Sequence, residues 1–263
     1  MSLWIGEVVA NFLVAPDIYR MRLRVDIEEP GPGQFVHLRC GLRYDPLLRR
    51  PLSIHDFDMD KGEIELLYRV VGKGTAWLAA RVPGDKVSGL GPLGRGFILP
   101  SGKTLALVAG GIGFAPLFFL ARKALALGNR VIFYLGVRSR EHLLRQKDLA
   151  EFGVQLEIAT EDGSAGFPGL VTDLLAAHLR NLRFDGIFAC GPKNMLAAVA
   201  GLAATYSIPA QVSLEEHMAC GLGACRGCAV PVYREDGNVT YENVCSEGPV
   251  FPAHRVVWKP SWR

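Results

Sequence analysis

The sequence is short of charge. Asp, Glu, Lys and Arg make up 21% of 263 residues, and 29 basic against 26 acidic side chains leave a net charge of +3. So mild a balance excludes the broad basic face that nucleic acid or an anionic membrane surface requires. Cysteine is scarce too: six in a chain of this length are too few for a disulfide scaffold, so their positions matter more than their number. No apolar run reaches the ~20 residues of a lipid-spanning helix. The longest, Leu105 to Ala121, is 17 residues and is broken by Gly110, Gly111, Gly113 and Pro116. That pattern reads as a buried strand, a Gly-rich loop and a helix, not as a membrane span. The first residues, with Glu7 among alternating neighbours, lack the basic and apolar regions of a secretory signal. Internal repeats and low-complexity segments are missing as well. These absences point to a cytoplasmic protein, where thiols stay reduced and clustered cysteines favour metal over disulfide.

What is present is an adequate core, 49% hydrophobic, and 30 Gly with 16 Pro to make tight turns. The length suggests roughly two domains, and composition divides the chain into three blocks. Residues 1–99 carry short alternating stretches (Arg20 to Val25, Gln34 to Arg39, Glu63 to Val71, Asp85 to Gly89) between turns such as Pro30-Gly31-Pro32-Gly33, as in an antiparallel β-barrel or sandwich. Residues 100–214 change period. Apolar β-rich runs begin at Thr104, Val131, Val154, Asp185 and Ala210, with helix-like stretches at Pro116–Leu127, Leu170–Leu179 and Met195–Tyr206 between them. Such alternation predicts βαβ units and a parallel sheet covered on both faces. Residues 215–263 hold four of the six cysteines and a predicted hairpin, Val230–Tyr233 and Val239–Tyr241, turned at Asp236-Gly237.

Cys220, Cys225, Cys228 and Cys245 give C-x4-C-x2-C followed, beyond the hairpin, by a fourth Cys. This is the plant-type spacing for a [2Fe–2S] cluster. A tight loop can place three thiolates round a small core, and the fourth must come from elsewhere. Gly221, Gly223 and Gly227 let the backbone come close and aim N–H groups at sulfur. A zinc site with four cysteine ligands is the alternative, but zinc knuckles pair two short Cys-x-x-Cys units and only Cys225 and Cys228 form one. Cys40 reads as a small core residue.

Gly110-Gly111-Ile112-Gly113-Phe114-Ala115-Pro116 follows a predicted strand and opens a helix. Glycines there allow backbone to approach a pyrophosphate, and the helix start favours anions. It is not G-x-G-x-x-G, because Pro116 stands where the third Gly would be. Cys190-Gly191-Pro192 ends a second predicted strand, and both loops can border one crevice. In the first block, Arg50-Pro51-Leu52-Ser53 taken alone reads as an ordinary strand start, but with Tyr68-Arg69 and Gly72-Lys73-Gly74-Thr75 it gives one Arg and one Gly-Thr turn on a barrel, which suits a dinucleotide such as FAD.

Taken in order, these motifs resemble the ferredoxin–NADP reductase superfamily. Glu216-His217-Met218-Ala219-Cys220-Gly221, the close Cys245-Ser246-Glu247-Gly248-Pro249-Val250-Phe251, Thr160-Glu161-Asp162-Gly163-Ser164 and Gly169-Leu170-Val171-Thr172-Asp173 narrow the resemblance to electron-transfer subunits of type B dihydroorotate dehydrogenases. The resemblance covers nearly the whole chain. It implies FAD on a barrel at 1–99, NAD on an α/β domain at 100–214 and [2Fe–2S] on a module at 215–263. Arg50, Pro51, Leu52, Ser53, Leu67, Tyr68, Arg69, Gly74 and Thr75 would then contact FAD. Arg50 would neutralise the pyrophosphate, and Ser53 would lie near the reactive flavin edge. Where the superfamily often has Tyr, this chain has Leu52, which can cover the ring but cannot stack on it. Gly110, Gly111, Gly113, Cys190, Gly191 and Pro192 would serve NAD, and Cys220, Cys225, Cys228 and Cys245 the cluster.

The implied path runs from FMN on a partner catalytic subunit through the cluster and FAD to NAD⁺, in a heterotetramer of two of each subunit, and assigns no catalytic acid or base to this chain. Rival readings are a subunit of an NADH-dependent ferredoxin:NADP oxidoreductase or sulfide dehydrogenase, a stand-alone oxygenase-type reductase, and a zinc-binding interaction module. NAD is preferred to NADP. Arg138 and Arg140 are candidates for a 2′-phosphate but read better as solvated loop residues, and Glu161 and Asp162 are candidates for a ribose hydroxyl. Glu215, Glu216 and His217 either tune the cluster or form a solvated linker. Trp258 and Trp262 are interface anchors or plain packing. A module of about 50 residues is below the usual size for a core of its own, so the cluster is expected to act as its staple.

Overall fold

Alternating inward apolar and outward charged residues build the first unit. In β2 (Ile18–Arg24), Met21 and Leu23 are buried while Arg20, Arg22 and Arg24 face outward. With β1 (Ser2–Ala15), β3 (Phe35–Leu38), β4 (Arg50–Asp58), β5 (Glu63–Arg69) and β6 (Lys86–Leu93) it closes an antiparallel barrel, in the order β1-β2-β5-β4-β3-β6. Helix α1 (Lys73–Ala79) lies between β5 and β6. Val8, Met21, Leu23, Val36, Leu38, Ile54 and Leu66 fill the interior. Side chains alternate across a strand, so β3 divides. Val36 and Leu38 join the barrel's core, whereas Phe35 packs outside it, with Cys228 and Cys245. The computed structural model describes residues 2–41 and 44–258.

The second unit alternates strand and helix: β7 (Thr104–Gly110), α2 (Phe114–Ala126), β8 (Arg130–Val137), α3 (Gln146–Glu151), β9 (Gln155–Thr160), β10 (Phe167–Pro168), α4 (Val171–Leu179), β11 (Gly186–Cys190), α5 (Lys193–Thr205) and β12 (Ala210–Ser213). These strands form a parallel sheet in the order β10-β9-β8-β7-β11-β12. Leu105 to Ala109 in β7 are all solvent-free, as a strand covered on both faces requires. The order reverses beside β7, which has β8 on one side and β11 on the other, and such a switch point opens a crevice at the strands' carboxyl ends.

Helix α2 explains the long apolar run. Phe118 and Leu120 pack into the sheet's core and Phe119 into the barrel's, so the helix is walled by protein on both sides and needs no polar face. Among the described residues no helix is long and apolar enough to cross a membrane.

The last stretch corrects the picture of a module stapled only by its cluster. Its hairpin, β13 (Ala229–Tyr233) and β14 (Val239–Asn243), turns where expected. Beyond it, β15 (Val250–Pro252) pairs antiparallel with β12 and extends the large sheet. Cys228, Val230, Val244, Cys245 and Phe251 share one core with Ile187 and Val212 of that sheet. A short segment that cannot bury enough apolar surface alone therefore borrows a core from its neighbour.

Candidate functional site

At the switch point lies a cavity of about 780 Å³. The ends of β7, β8, β9 and β11 open into it through Gly110, Gly136, Glu161 and Gly191, and the barrel contributes Arg69. Both predicted loops thus border one crevice. The reason for their glycines differs from the expected one, however. A Cβ on Gly113 would lie 2.2 Å from the Cys190 carbonyl oxygen, and one on Gly191, whose φ is +156°, would lie 2.9 Å from the Gly110 nitrogen. Gly110, Gly113 and Gly191 let the two loops press on each other; Gly110 and Gly191 also line the cavity, whereas Gly113 shapes it from behind. Gly111 is the one that faces open space, with the Arg69 guanidinium its nearest neighbour at 3.8 Å.

Cys190 is buried beneath this floor, and burial, aided by Glu215, raises its thiol well above the ordinary range. Its side chain is part of the core and does not line the cavity. Pro192 lines it, as do Arg138 and Glu161. Arg140 and Asp162 instead tie down the neighbouring turn. The Arg140 backbone N–H donates to the Ser164 hydroxyl at 2.8 Å, and that hydroxyl donates to Asp162 at 2.6 Å. Glu215 opens into the cavity and is no mere linker. Its crowded position raises its carboxyl above the ordinary range, with Arg69 acting against the shift.

On the barrel, Arg50 lies across Gly74: a Cβ there would be 2.7 Å from its Nε. Arg50 donates to the Leu48 carbonyl at 2.6 Å, and the bare Gly74 leaves a cradle under its guanidinium. Thr75 caps its own helix, its hydroxyl accepting from the Val71 N–H at 2.9 Å. Pro51, Leu52 and Ser53 are half-buried on β4, opposite His37, Val36 and Phe35. Leu67 and Tyr68 are buried in two different cores, and Tyr68 donates to Asn11 Oδ1 at 3.1 Å. Their side chains are turned away from any surface ligand, leaving Arg69 as the exposed one of the three.

The barrel is locked to the sheet by a charged cluster that sequence reasoning missed. Glu65 accepts from Arg20 at 2.6 Å and from Arg145 at 2.5 Å. Fully buried His55 donates from Nδ1 to the Ala115 carbonyl at 2.8 Å and accepts at Nε2 from Arg145 at 3.0 Å. Burial, followed by the positive charge of Arg145, lowers the imidazole to about 3. Arg145 also pairs with Asp148 and lies 3.9 Å from the Phe118 ring centroid.

The four cysteines come together as two pairs. Cys220 and Cys225 interact through their thiols, as do Cys228 and Cys245. Backbone N–H groups are aimed at three of the sulfurs. Leu222 and Cys225 donate to Cys220 at 3.3 and 3.4 Å, Gly223 to Cys245 at 3.1 Å and Gly227 to Cys225 at 3.4 Å. Those bonds lower Cys220 to about 6, whereas burial and the neighbouring Cys228 push Cys245 up to about 12. Two thiol pairs with N–H donors fit the donor set of a two-iron group. Asn243 and Glu247, also missed, brace the loop: Asn243 donates to the Gly223 carbonyl at 3.3 Å, and Glu247 accepts from the Asn243 N–H at 2.7 Å. Their only sequence signal is proximity to Cys245. Trp258 is packing, its indole N–H donating to Ala253 at 3.0 Å; Trp262 lies outside the described residues.

Comparison with known proteins agrees with this geometry. Residues 215–257 match the family described as the iron–sulfur cluster binding domain of dihydroorotate dehydrogenase B, and residues 107–201 match the oxidoreductase NAD-binding domain. The chain is 44% identical to the dihydroorotate dehydrogenase B (NAD(+)) electron transfer subunit of Desulforamulus reducens, over 97% of this chain and 98% of that protein. Its counterpart in Bacillus caldolyticus is 44% identical over 95% and 96%. A solved NADH-dependent reduced ferredoxin-NADP oxidoreductase superposes with a TM-score of 0.84 at 30% identity, covering 96% of this chain and 90% of that one.

Proposed function

The chain belongs to the family of electron transfer subunits of dihydroorotate dehydrogenase B, and from that premise we propose how its residues link a partner catalytic subunit to NAD. It is a flavin and iron–sulfur oxidoreductase subunit that uses FAD, a [2Fe–2S] cluster and NAD. One observation carries the reading: the barrel touches both other sites. Arg69 reaches the cavity beside Gly111, and on another face of the barrel His37 meets the cysteine loop at Gly221. These two contacts support a group held on the barrel between a dinucleotide and a metal cluster.

We assign FAD to the barrel (1–99), NAD to 100–214 and the cluster to 215–263. When bound, FAD supplies the exchange between paired electrons moved as hydride and single electrons. Arg50, cradled over Gly74, neutralises its phosphate charge, with Pro51, Leu52 and Ser53 beside it. Leu67 and Tyr68 can offer only backbone, while Arg69, Gly74 and Thr75 complete the edge. Gly110, Gly111 and Gly191-Pro192 present backbone to NAD, and Gly113 and Cys190 support them from below. Cys220 with Cys225 would hold one iron, and Cys228 with Cys245 the other. Their N–H donors favour the anionic group.

The partner is a catalytic subunit; we propose that it carries FMN, that two of each subunit assemble, and that the complex works in the cytoplasm, where thiols stay free to bind iron. The ferredoxin:NADP alternative is not favoured, since identity is 30% there against 44% for the dihydroorotate branch.

The test is reconstitution. The chain alone should reduce artificial acceptors with NADH yet leave dihydroorotate untouched. Dihydroorotate-dependent reduction of NAD⁺ should appear only when the FMN subunit is added. Orotate formed by the isolated chain would contradict the assignment.

A further inference from the structure

His37 is fully buried, and neither ring nitrogen closes a hydrogen bond, although the backbone of Arg49 and of Cys220 lies beside the ring. A neutral imidazole carries one N–H and one lone pair, and buried groups of that kind are nearly always satisfied. The contrast with His55 is direct. That ring is equally buried, and the fold supplies both of its nitrogens with partners. His37 has the Arg49 and Cys220 backbone beside it but no hydrogen bond closed, so its ring N–H is open to a further acceptor on the cysteine side.

Its surroundings say what. A Cβ on Gly221 would lie 2.5 Å from Nδ1 of His37, so the ring fills the space that a side chain next to Cys220 would occupy. On the barrel, His37 stands directly opposite Pro51 on β4. Residues facing each other across an antiparallel pair share one side of the sheet. One imidazole thus touches the cysteine loop and stands beside the stretch assigned to the flavin.

We propose that His37 is a positioning residue of the iron–sulfur site, directing a ring N–H at its Cys220 edge and holding that edge against the barrel. The proposal rests on reading the four thiols as a [2Fe–2S] site. An N–H aimed at the group favours its more negative, reduced form, so His37 raises the cluster's potential. It also ties the loop to β3, the neighbour of β4.

The experiment uses the full chain with flavin and cluster bound. Iron and flavin analysis comes first; a parent protein that holds no two-iron group removes the reading of the thiols, and this proposal with it. With ¹⁵N-histidine in the chain, pulsed EPR of the reduced cluster should show coupling to a histidine nitrogen. That coupling should vanish in His37→Gln and persist in His217→Gln. In an EPR-monitored titration, His37→Met should disfavour cluster reduction about tenfold, which is about 59 mV for one electron. The flavin potential should stay in place. His37→Gln, which restores an N–H, should recover much of the shift. A parent without histidine coupling, a coupling lost only in His217→Gln, or an unshifted His37→Met overturns the proposal. If His37→Met does not retain its cofactors, the isotope experiment on the parent and His37→Gln decides.

Discussion

At the scale of single residues, the site is made by what small or exposed positions permit. Gly113 shows this most clearly, because a Cβ there would meet backbone, the Cys190 carbonyl at 2.2 Å, and backbone cannot swing aside. Gly113→Ala should therefore destabilise the α/β unit by about 1–3 kcal/mol, the usual range for overpacking, and raise the KM for NADH; thermal melting and steady-state kinetics check both. Cys225 is the converse case, exposed and free of packing duties. Cys225→Ser should abolish the visible and EPR signals of the cluster while the flavin spectrum stays intact. An iron content equal to the parent's would count against Cys225 as a ligand. The cysteine spacing was legible because ligand chemistry imposes it locally. Nothing local marked His37, whose neighbour Gly221 lies far along the chain, and Asn243 and Glu247 had only their closeness to Cys245.

Among elements, the junction of barrel and sheet governs how the proposed flavin and nicotinamide sites would face each other. Helix α2 packs Phe119 into one core and Phe118 into the other, and the Glu65 cluster clamps its flank. Glu65→Gln leaves Arg20 and Arg145 short of a counter-charge. Because Arg20 is partly exposed, the cost should be about 2–3 kcal/mol, below that of a fully buried pair, and denaturant titration reads it directly. His55 adds a dependence on pH. Its imidazole stays neutral in the folded state, being lowered from 6.5 to about 3 by burial and Arg145. As pH falls below about 6.5 the unfolded chain takes up a proton that the folded chain refuses. Stability should drop through that window by up to about 1.4 kcal/mol per pH unit, until the folded form also protonates near 3. Melting temperatures from pH 7 to 4 should slope more steeply for the parent than for His55→Gln. The strand and helix periods of these units were legible in the residues. The clamp was not, because its members, Arg20, His55, Glu65 and Arg145, come from β2, β4, β5 and the loop before α3, spread over more than a hundred positions.

Over the whole molecule, the three units are joined through shared hydrophobic cores. The cysteine segment has no core of its own: β15 completes the large sheet, and Val230, Val244 and Phe251 pack with Ile187 and Val212. Removing iron with a chelator should therefore bleach the cluster but leave the far-UV circular dichroism of the sheet nearly unchanged. Phe251→Ala, by contrast, should cost about 3–5 kcal/mol, as expected for a large buried aromatic, and weaken cluster retention and sheet together. The sequence by itself determined the class of each unit and the cysteine spacing, because hydrophobic period and thiol spacing are properties of neighbours along the chain; FAD and NAD followed from the family that the ordered motifs resemble. Only the tertiary structure decided that Gly110 and Gly113 serve the contact between loops, that Leu67 and Tyr68 turn inward, and that an unpartnered histidine meets the cysteine loop. Those outcomes depend on which distant surfaces close on one another, and burial and register are fixed only once the barrel, the sheet and the hairpin have packed.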